Sequence, residues 1–462
     1  MAESAVAGEI DAGSAAVALL GELISLDTVN PPGNEEIAQE LLASRLSDAG
    51  FSCELLAAEP GRPNLIARLA GQRPGKTLCL LSHVDVVPFT ASDWSFDPLS
   101  GAVREGAADR VGAEAGAEVL GRGAQDMKSQ VAAEVAAACA LGDSGWRPDS
   151  GELIVVVTAD EEMGAHAGAK WLCEEHPEKV RCDWVVNEGA GIVVELGERR
   201  AYTVCIGEKG VFRFNLRTHG RAGHGSMPRI GDNALLKLAP LITALAEQPA
   251  VEGDADALAF VGALLGESVD AGGLAEAVSR IAVIDPIAAG VLVEPMLGVS
   301  VAPTRVRASE KDNVIPALAE ALVDCRVPPG LEGTHVRARI GELLGDGDYE
   351  IEFADEVVGN RSSPEGPLYE AIGAWVAGAE PDAVLAPMVM PGFSDSHWFR
   401  KELGAVAFGF CPQRSMTLAE ALPLIHGADE RIKVADVELA ADFFVDIPQR
   451  MLNHGAADQS AG

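Results

Sequence analysis

"ELIVVVTADEEM", residues 152–163, sets the unbroken apolar run Leu153 to Val157 almost directly before Asp160, Glu161 and Glu162. A short, continuous run of branched apolar residues reads as a strand buried on both faces. Adjacent carboxylates repel one another, and an ionised carboxylate withdrawn from water is costly unless a cation or a proton compensates it. The stretch therefore predicts a buried strand that ends at a site needing positive charge.

The same grammar recurs on either side. From Ser14 to Gly50 the apolar spacing is helical, interrupted by a turn at "DTVNPPG", 27–33. Apolar runs at 64 ("NLIARL"), 76 ("KTLCLLSHVDVVP") and 182 ("CDWVVNEG") alternate with helical patterns from 126 ("DMKSQVAAEVAAACAL") and near 165–175. Strands of this kind between helices predict an α/β fold with a sheet covered on both faces.

After "GERRAYTVCIGEKG" the pattern changes. "VFRFNLRTHG" at 211 and "NVIPALAEALVDCRV" at 313 alternate like strands with one exposed face, helices are expected from about Asn233 to Glu247 and over "THVRARIGELLG", and "YEIEFA" reads as a strand. These elements predict an inserted α+β domain over 207–355. Residues 1–206 and 356–462 then form one discontinuous domain, closed by the helix "VADVELAADFFVDIPQRML".

The 462 residues are enough for two or three domains. Acidic residues outnumber basic ones 70 to 35, a net charge of −35, which argues against nucleic acid as a partner because phosphate binding needs a basic surface. Neither a long uninterrupted apolar stretch nor a basic N-terminal leader is present, so no membrane partner is expected and the chain reads as cytoplasmic. The eight cysteines are scattered without a CxxC pair and are excluded as metal ligands.

Ligands of open α/β sheets bind beyond the carboxyl ends of strands. Four places there carry polar residues. His83 and Asp85 in "LLSHVDVVP" are two apart in an extended segment and point to one side; that suits an imidazole with a carboxylate behind it, or simply a strand-end histidine. Asp126 in "GRGAQDMKSQ" follows two loop glycines and stands where a helix begins, which is also an N-cap position. Glu161 and Glu162 belong to the opening stretch, and Glu188 leaves the strand in "VVNEGAG", whose glycines lack the rest of a dinucleotide fingerprint. With His426 in "LPLIHGADE", these residues make an oxygen-rich, nitrogen-containing set suited to Zn²⁺, Co²⁺ or Mn²⁺.

The ordered motifs "VNPPGNEE", "SHVDVVP", "GRGAQDMKS", "TADEEMG", "NEGAG", "HGRAGHGSMPRIGDNA", "NVIP", "DCR", "GFSDSHWF" and "IHGADE" resemble the M20 metallopeptidases, a family that includes deacylases, desuccinylases and carboxypeptidases. The resemblance implies a catalytic domain with a mixed, mostly parallel sheet flanked by helices, interrupted by a smaller α+β lid of the dimerisation type. It implies two divalent metals per chain, most simply zinc: His83 and Glu188 on one, Glu162 and His426 on the other, Asp126 bridging, and Asp85 behind His83. Glu161 would be the general base, His224 a donor to the oxyanion, and Asn313 and Arg326 binders of the substrate's carbonyl and carboxylate. Ser394 and His397 occupy a substrate-binding motif in which many members carry arginine where this chain has His397; Arg400 is a candidate replacement.

The implied activity is hydrolysis of the amide bond of an N-acyl amino acid or short peptide with a free carboxylate, in a chain able to form a homodimer through the lid. Aminopeptidases of another family use a similar ligand order but lack the "GHGSMP" and "NVIP…DCR" segments. A non-catalytic binding protein on the same fold would be expected to lack a ligand or the base. The segment between Pro249 and Asn313 is expected to add helices to the lid.

Overall fold

The computed structural model describes residues 11–106, 116–246 and 253–453. The chain divides into two compact units, one comprising residues 1–206, 362–387 and 394–462, the other 207–361 with 388–393. The second unit thus ends at Arg361 rather than near 355, and it takes in a short later segment that local patterning does not associate with it.

The first unit is built on a mixed sheet. Its path runs Ser52–Ala57, Pro63–Ala70, Glu152–Thr158, Thr77–His83, Trp184–Asn187, Val406–Gly409, Arg199–Glu208 and Val384–Met390, with Val193–Leu196 beside Arg199–Glu208. The four central strands, from Glu152–Thr158 to Val406–Gly409, are mutually parallel, and the pairs toward the Ser52–Ala57 edge are antiparallel. Their sequences are nearly all apolar because both faces are covered: every residue from Leu78 to His83 and from Leu153 to Thr158 is buried. Burying such a Leu or Val side chain contributes roughly 1.5–3 kcal/mol.

The helices Gly13–Ser25, Lys128–Asp143 and Val434–Leu452 pack on one another, and the last two also pack on strands Thr77–His83 and Glu152–Thr158. Lys128–Asp143 is enclosed on nearly every side, which explains its run of alanines: small side chains let it approach its neighbours closely. Glu36–Asp48 covers the two antiparallel edge strands, and Ser396–Leu403 packs on both Ala169–Glu175 and Val406–Gly409.

Two strands of this sheet are invisible to patterning. Ser52–Ala57 is an edge strand with no fully buried residue and hence no clean period. Val384–Met390 contains Pro387, a residue that weakens any strand reading.

The second unit has an antiparallel sheet ordered Gly210–Val211, Leu318–Val327, Phe214–His219 and Glu350–Phe353, with Ser300–Arg307 paired to Leu318–Val327. Burial alternates along Leu318–Val327, as expected when one face meets helices and the other does not. The covering helix Ala234–Leu245 is capped by Asn233, whose side chain accepts from Leu235 N at 3.0 Å. The segment before Asn313 carries helices Ala255–Leu265 and Leu274–Ile284 and then the unanticipated strand Ser300–Arg307. All eight cysteines are free, and no helix among the described residues is long and apolar enough to cross a membrane.

Candidate metal centre

The central parallel strands end together, and their ends supply the polar cluster of the first unit. His83 is the last residue of its strand, Glu188 follows Asn187, and Asp160 to Glu162 follow Thr158. Gly409, at the end of the neighbouring strand, is required for this approach: a Cβ there would lie 1.8 Å from the Glu188 carbonyl oxygen.

The opening stretch turns sharply at Asp160, whose φ of 65° is left-handed. Aspartate is among the few non-glycine residues that tolerate this region, at some cost. Contacts with its carboxylate hold it there: Arg62 Nη1 at 3.0 Å, Asn30 Nδ2 at 3.1 Å and Ala167 N at 3.0 Å. Asp160 is therefore a buried, hydrogen-bonded structural acid. The turn leads into a 3₁₀ segment, Glu161–Met163, in which the N–H groups of Glu161 and Glu162 both donate to the Asp85 carboxylate, at 3.1 and 3.2 Å.

Asp126 lies between two imidazoles. Its Oδ1 is 3.2 Å from His83 Nε2, and its Oδ2 is 3.1 Å from His426 Nε2. Each imidazole faces a second carboxylate, with His83 Nε2 3.6 Å from Glu188 Oε1 and His426 Nε2 3.3 Å from Glu162 Oε2. Glu161 joins the same cluster, its ligand atom lying within 4.8 Å of those of His83 and Glu188. The N-cap reading of Asp126 is overturned, because helix Lys128–Asp143 begins after it and has no side-chain cap. The Asp126–Met127 peptide is cis.

Behind His83, Nδ1 meets the Asp85 backbone carbonyl at 3.0 Å and the Asp85 carboxylate at 3.4 Å, so the nearer partner is the main chain. Donation from Nδ1 to that carbonyl leaves Nε2 as the nitrogen turned toward Asp126 and Glu188.

The electrostatics state what the cluster lacks. Burial, then the nearby Glu188, Asp395 and Glu162 charges, hold the Glu161 carboxyl well above its usual range, with His83 pulling the other way. Burial likewise raises Glu162 and Glu188, each with Asp126 adding repulsion. The carboxylates of Asp126 and Glu162 lift His426 to about 10 against burial. For His83 burial is the largest influence and opposes protonation, yet Glu188, Asp126 and Asp85 outweigh it and raise the imidazole. Acids that resist ionising beside imidazoles that hold protons are a site asking for cations.

The residues fit such ions. Donor atoms on one tetrahedral, zinc-sized cation at roughly 2.0–2.2 Å lie about 3.3 Å apart, and the four imidazole–carboxylate separations here run from 3.1 to 3.6 Å. Glu162 Oε1 is buried without a hydrogen-bond partner among the described residues, the condition a cation would relieve. Imidazole nitrogen with carboxylate oxygen is a donor set for Zn²⁺, Mn²⁺ or Co²⁺.

The remaining expected site residues are placed as follows. In the second unit, His224 pairs with Val314 across a two-residue ladder, and Gly225 N donates to the Asn313 carbonyl at 2.7 Å, which brings His224 and Asn313 close together. His224 Nδ1 lies 2.8 Å from Ser226 Oγ. Arg326 is already engaged by Asp324, at 2.7 and 3.4 Å, with Nη1 3.5 Å from the Pro391 carbonyl.

In the first unit, Ser394 and His397 are both buried. His397 packs edge-on against Trp398 with its ring nitrogens enclosed, and burial pushes its pKa down to about 3. Arg400 Nε and Nη2 donate to the Ala407 carbonyl, at 3.3 and 3.2 Å.

Motif reading passed over Asn30, Asp395 and Glu430. Asn30 lies inside "VNPPGNEE", but nothing in its spacing signals that its amide reaches both Asp85 and Asp160. Asp395 is buried, accepts from Thr158 Oγ1 at 2.6 Å, and is pushed up to about 7 chiefly by burial.

The chain's sequence and fold are similar to those of several known proteins. A succinyl-diaminopimelate desuccinylase of Cereibacter sphaeroides is 28% identical over 434 residues, covering 91% of this chain and 95% of its own length. An M20 family metallo-carboxypeptidase of Sulfolobus solfataricus has the same fold, with a TM-score of 0.68 at 18% identity over 95% of this chain and 98% of that one. A Bacillus subtilis protein described as a dinuclear metal binding peptidase of the M20 family aligns with a TM-score of 0.54 at 12% identity, over 96% and 98% of the two chains. The profile described as peptidase family M20/M25/M40 matches residues 79–450, and the chain belongs to that family of hydrolases.

Proposed function

We propose that this protein is a dinuclear metal-dependent amidohydrolase acting on an N-acyl amino acid or short peptide that carries a free carboxylate. The observation that carries the reading is Asp126, which offers one oxygen to His83 and the other to His426 while each imidazole faces its own second carboxylate. His83, Glu188 and Asp126 would hold one cation, and His426, Glu162 and Asp126 the other. Divalent cations in such a pair supply Lewis-acid polarisation of an amide carbonyl and acidify water.

The chain's own groups account for the proton traffic. Glu161 stands beside the ligands without being needed as one, a carboxylate placed to act as general base. It takes a proton from the attacking water and passes it to the leaving nitrogen. Asp85 orients His83 and the Glu161–Glu162 turn. His224, with Nδ1 engaged by Ser226, is left with Nε2 as its donor to the carbonyl oxygen that gains charge. Arg326 serves the substrate carboxylate through the part of its guanidinium that Asp324 does not occupy, and Asn313 the carbonyl. The desuccinylase names of the relatives make N-succinyl amino acids the first substrates to try.

The test is Glu161→Gln. Elemental analysis should find close to two divalent metals per chain in both proteins, while hydrolysis falls by about 10²- to 10⁴-fold in the variant. Unchanged turnover in the variant would remove Glu161 from the mechanism, and a metal-free or mononuclear wild type would remove the dinuclear reading.

A further inference from the structure

His83 and Glu188 leave adjacent, paired strands: Leu78, Cys79 and Leu80 are in register with Trp184, Val185 and Val186. The sheet itself therefore sets their separation. Asp126 and His426 have no such support. Asp126 ends a loop in which Gly121 and Gly123 adopt φ values of 143° and 87°, and half-exposed His426 sits on a loop at a left-handed φ of 59°. About 300 residues of chain separate these two loops, yet their side chains meet at 3.1 Å.

A single buried ion pair joins them. Glu430 is fully buried, and its carboxylate receives four hydrogen bonds. Oε2 accepts from Arg122 Nη1 at 2.6 Å and from Gly123 N at 3.0 Å; Oε1 accepts from Gln125 N at 2.7 Å and from Asp126 N at 3.1 Å. Arg122, also buried, donates through Nη2 to the His426 carbonyl at 3.2 Å and lies over the Trp94 ring at 5.1 Å. One carboxylate thus shapes the loop that presents Asp126, and its arginine holds the backbone of His426. The planar guanidinium makes both contacts at once, which a lysine ammonium on its flexible stem does not reproduce.

We propose that Arg122 and Glu430 are positioning residues that set the spacing between Asp126 and His426, and that Arg122, through its hold on the His426 backbone, governs one of the two cation positions selectively: the one faced by His426 and Glu162. The position faced by His83 and Glu188, braced by the sheet, depends on Arg122 far less. The inference rests on the dinuclear reading above and adds an inequality between its two positions.

Calorimetric titration of Zn²⁺ into chelator-treated full-length protein tests it, with circular dichroism verifying the fold. Arg122→Lys should weaken one of two binding events by about 10- to 100-fold and shift the other by no more than about twofold, whereas Glu430→Gln, which also loosens the Asp126 loop shared by both positions, should weaken both. Removing one partner of a buried pair is costly, so the milder Arg122→Lys decides the matter if Glu430→Gln does not fold. A folded Arg122→Lys protein that binds two ions as the wild type does, or that loses both to the same extent, would overturn the proposal. A wild type with fewer than two binding events would instead count against the dinuclear reading, which separates the two failures.

Discussion

The side-chain amide of Asn30 donates to the Asp85 carboxylate at 2.8 Å, across 55 residues of sequence. The same nitrogen also donates to Asp160 at 3.1 Å, so both amide hydrogens are spent on carboxylates that lie behind the proposed metal ligands. An NH₂ group only donates, and this one serves two neighbouring carboxylates at once. Asn30→Ala should therefore free Asp85 to rotate and loosen His83 with the Glu161–Glu162 turn. We expect metal affinity or kcat/KM to fall by about 10- to 100-fold. Metal titration and steady-state kinetics check this, and Asn30→Asp, which adds a third acid, should be worse than Asn30→Ala.

Removing the metals should make stability strongly pH-dependent. In the metal-free protein Glu161, Glu162, Glu188, His83 and His426 all hold protons more tightly than their ordinary values. Groups raised in the folded state contribute stability at low pH that is lost as pH rises through their folded pKa values. The lowered Asp85 and Asp126 act in the opposite sense, in acid alone. A chelator should therefore depress Tm more at about pH 8.5 than at about pH 5.5. An equal depression at both values in a thermal-shift assay would contradict this account.

Glu134 offers a second titration, buried in helix Lys128–Asp143. Its two oxygens accept from Ser82 Oγ and Gln130 Nε2, both at 2.8 Å, and burial pushes its pKa up to about 8. Stability tied to this proton is complete below the unfolded carboxyl value and declines as pH rises toward 8. The slope is at most about 1.4 kcal/mol per pH unit. Glu134→Gln should flatten the decline and be the more stable protein in mild alkali, as read from urea unfolding across pH.

Gly409→Ala tests how the strand ends are spaced. The added Cβ would meet the Glu188 carbonyl oxygen at 1.8 Å and Cys205 Cβ at 2.9 Å, so the backbone carrying Glu188 must move. A loss of roughly 1–3 kcal/mol is expected from overpacking. Metal loss should fall first on the position faced by His83 and Glu188, the reverse of the Arg122→Lys result.

The net charge of −35 makes a further prediction. Self-repulsion on that scale opposes the compact state, and salt shortens its reach to about 10 Å at 0.1 M. Exposed ion pairs such as Arg337–Glu356 are weakened at the same time but contribute little individually. Tm should rise between low and moderate sodium chloride, and a flat or falling profile would show that such pairs outweigh the repulsion.

The apolar runs of the sequence were sufficient to predict an α/β sheet whose strands end in histidine and carboxylates, because an apolar run followed by polar residues is a local signal. His83, Glu161, Glu162 and Glu188 were legible for that reason, and His426 and Asp126 from their motifs. Which atoms face one another is a different matter, since it depends on loops brought together by packing rather than by sequence neighbourhood. Tertiary structure alone decided that Asp126 spans two imidazoles, that Asn30 and Glu430 stand behind the proposed ligands, that Asp324 occupies Arg326, and that His397 is buried. The three acids of the opening stretch show the division most plainly. Their need for a counter-charge could be read from their spacing, whereas their separate fates follow from one left-handed turn at Asp160, held by Arg62 and Asn30 from distant parts of the chain.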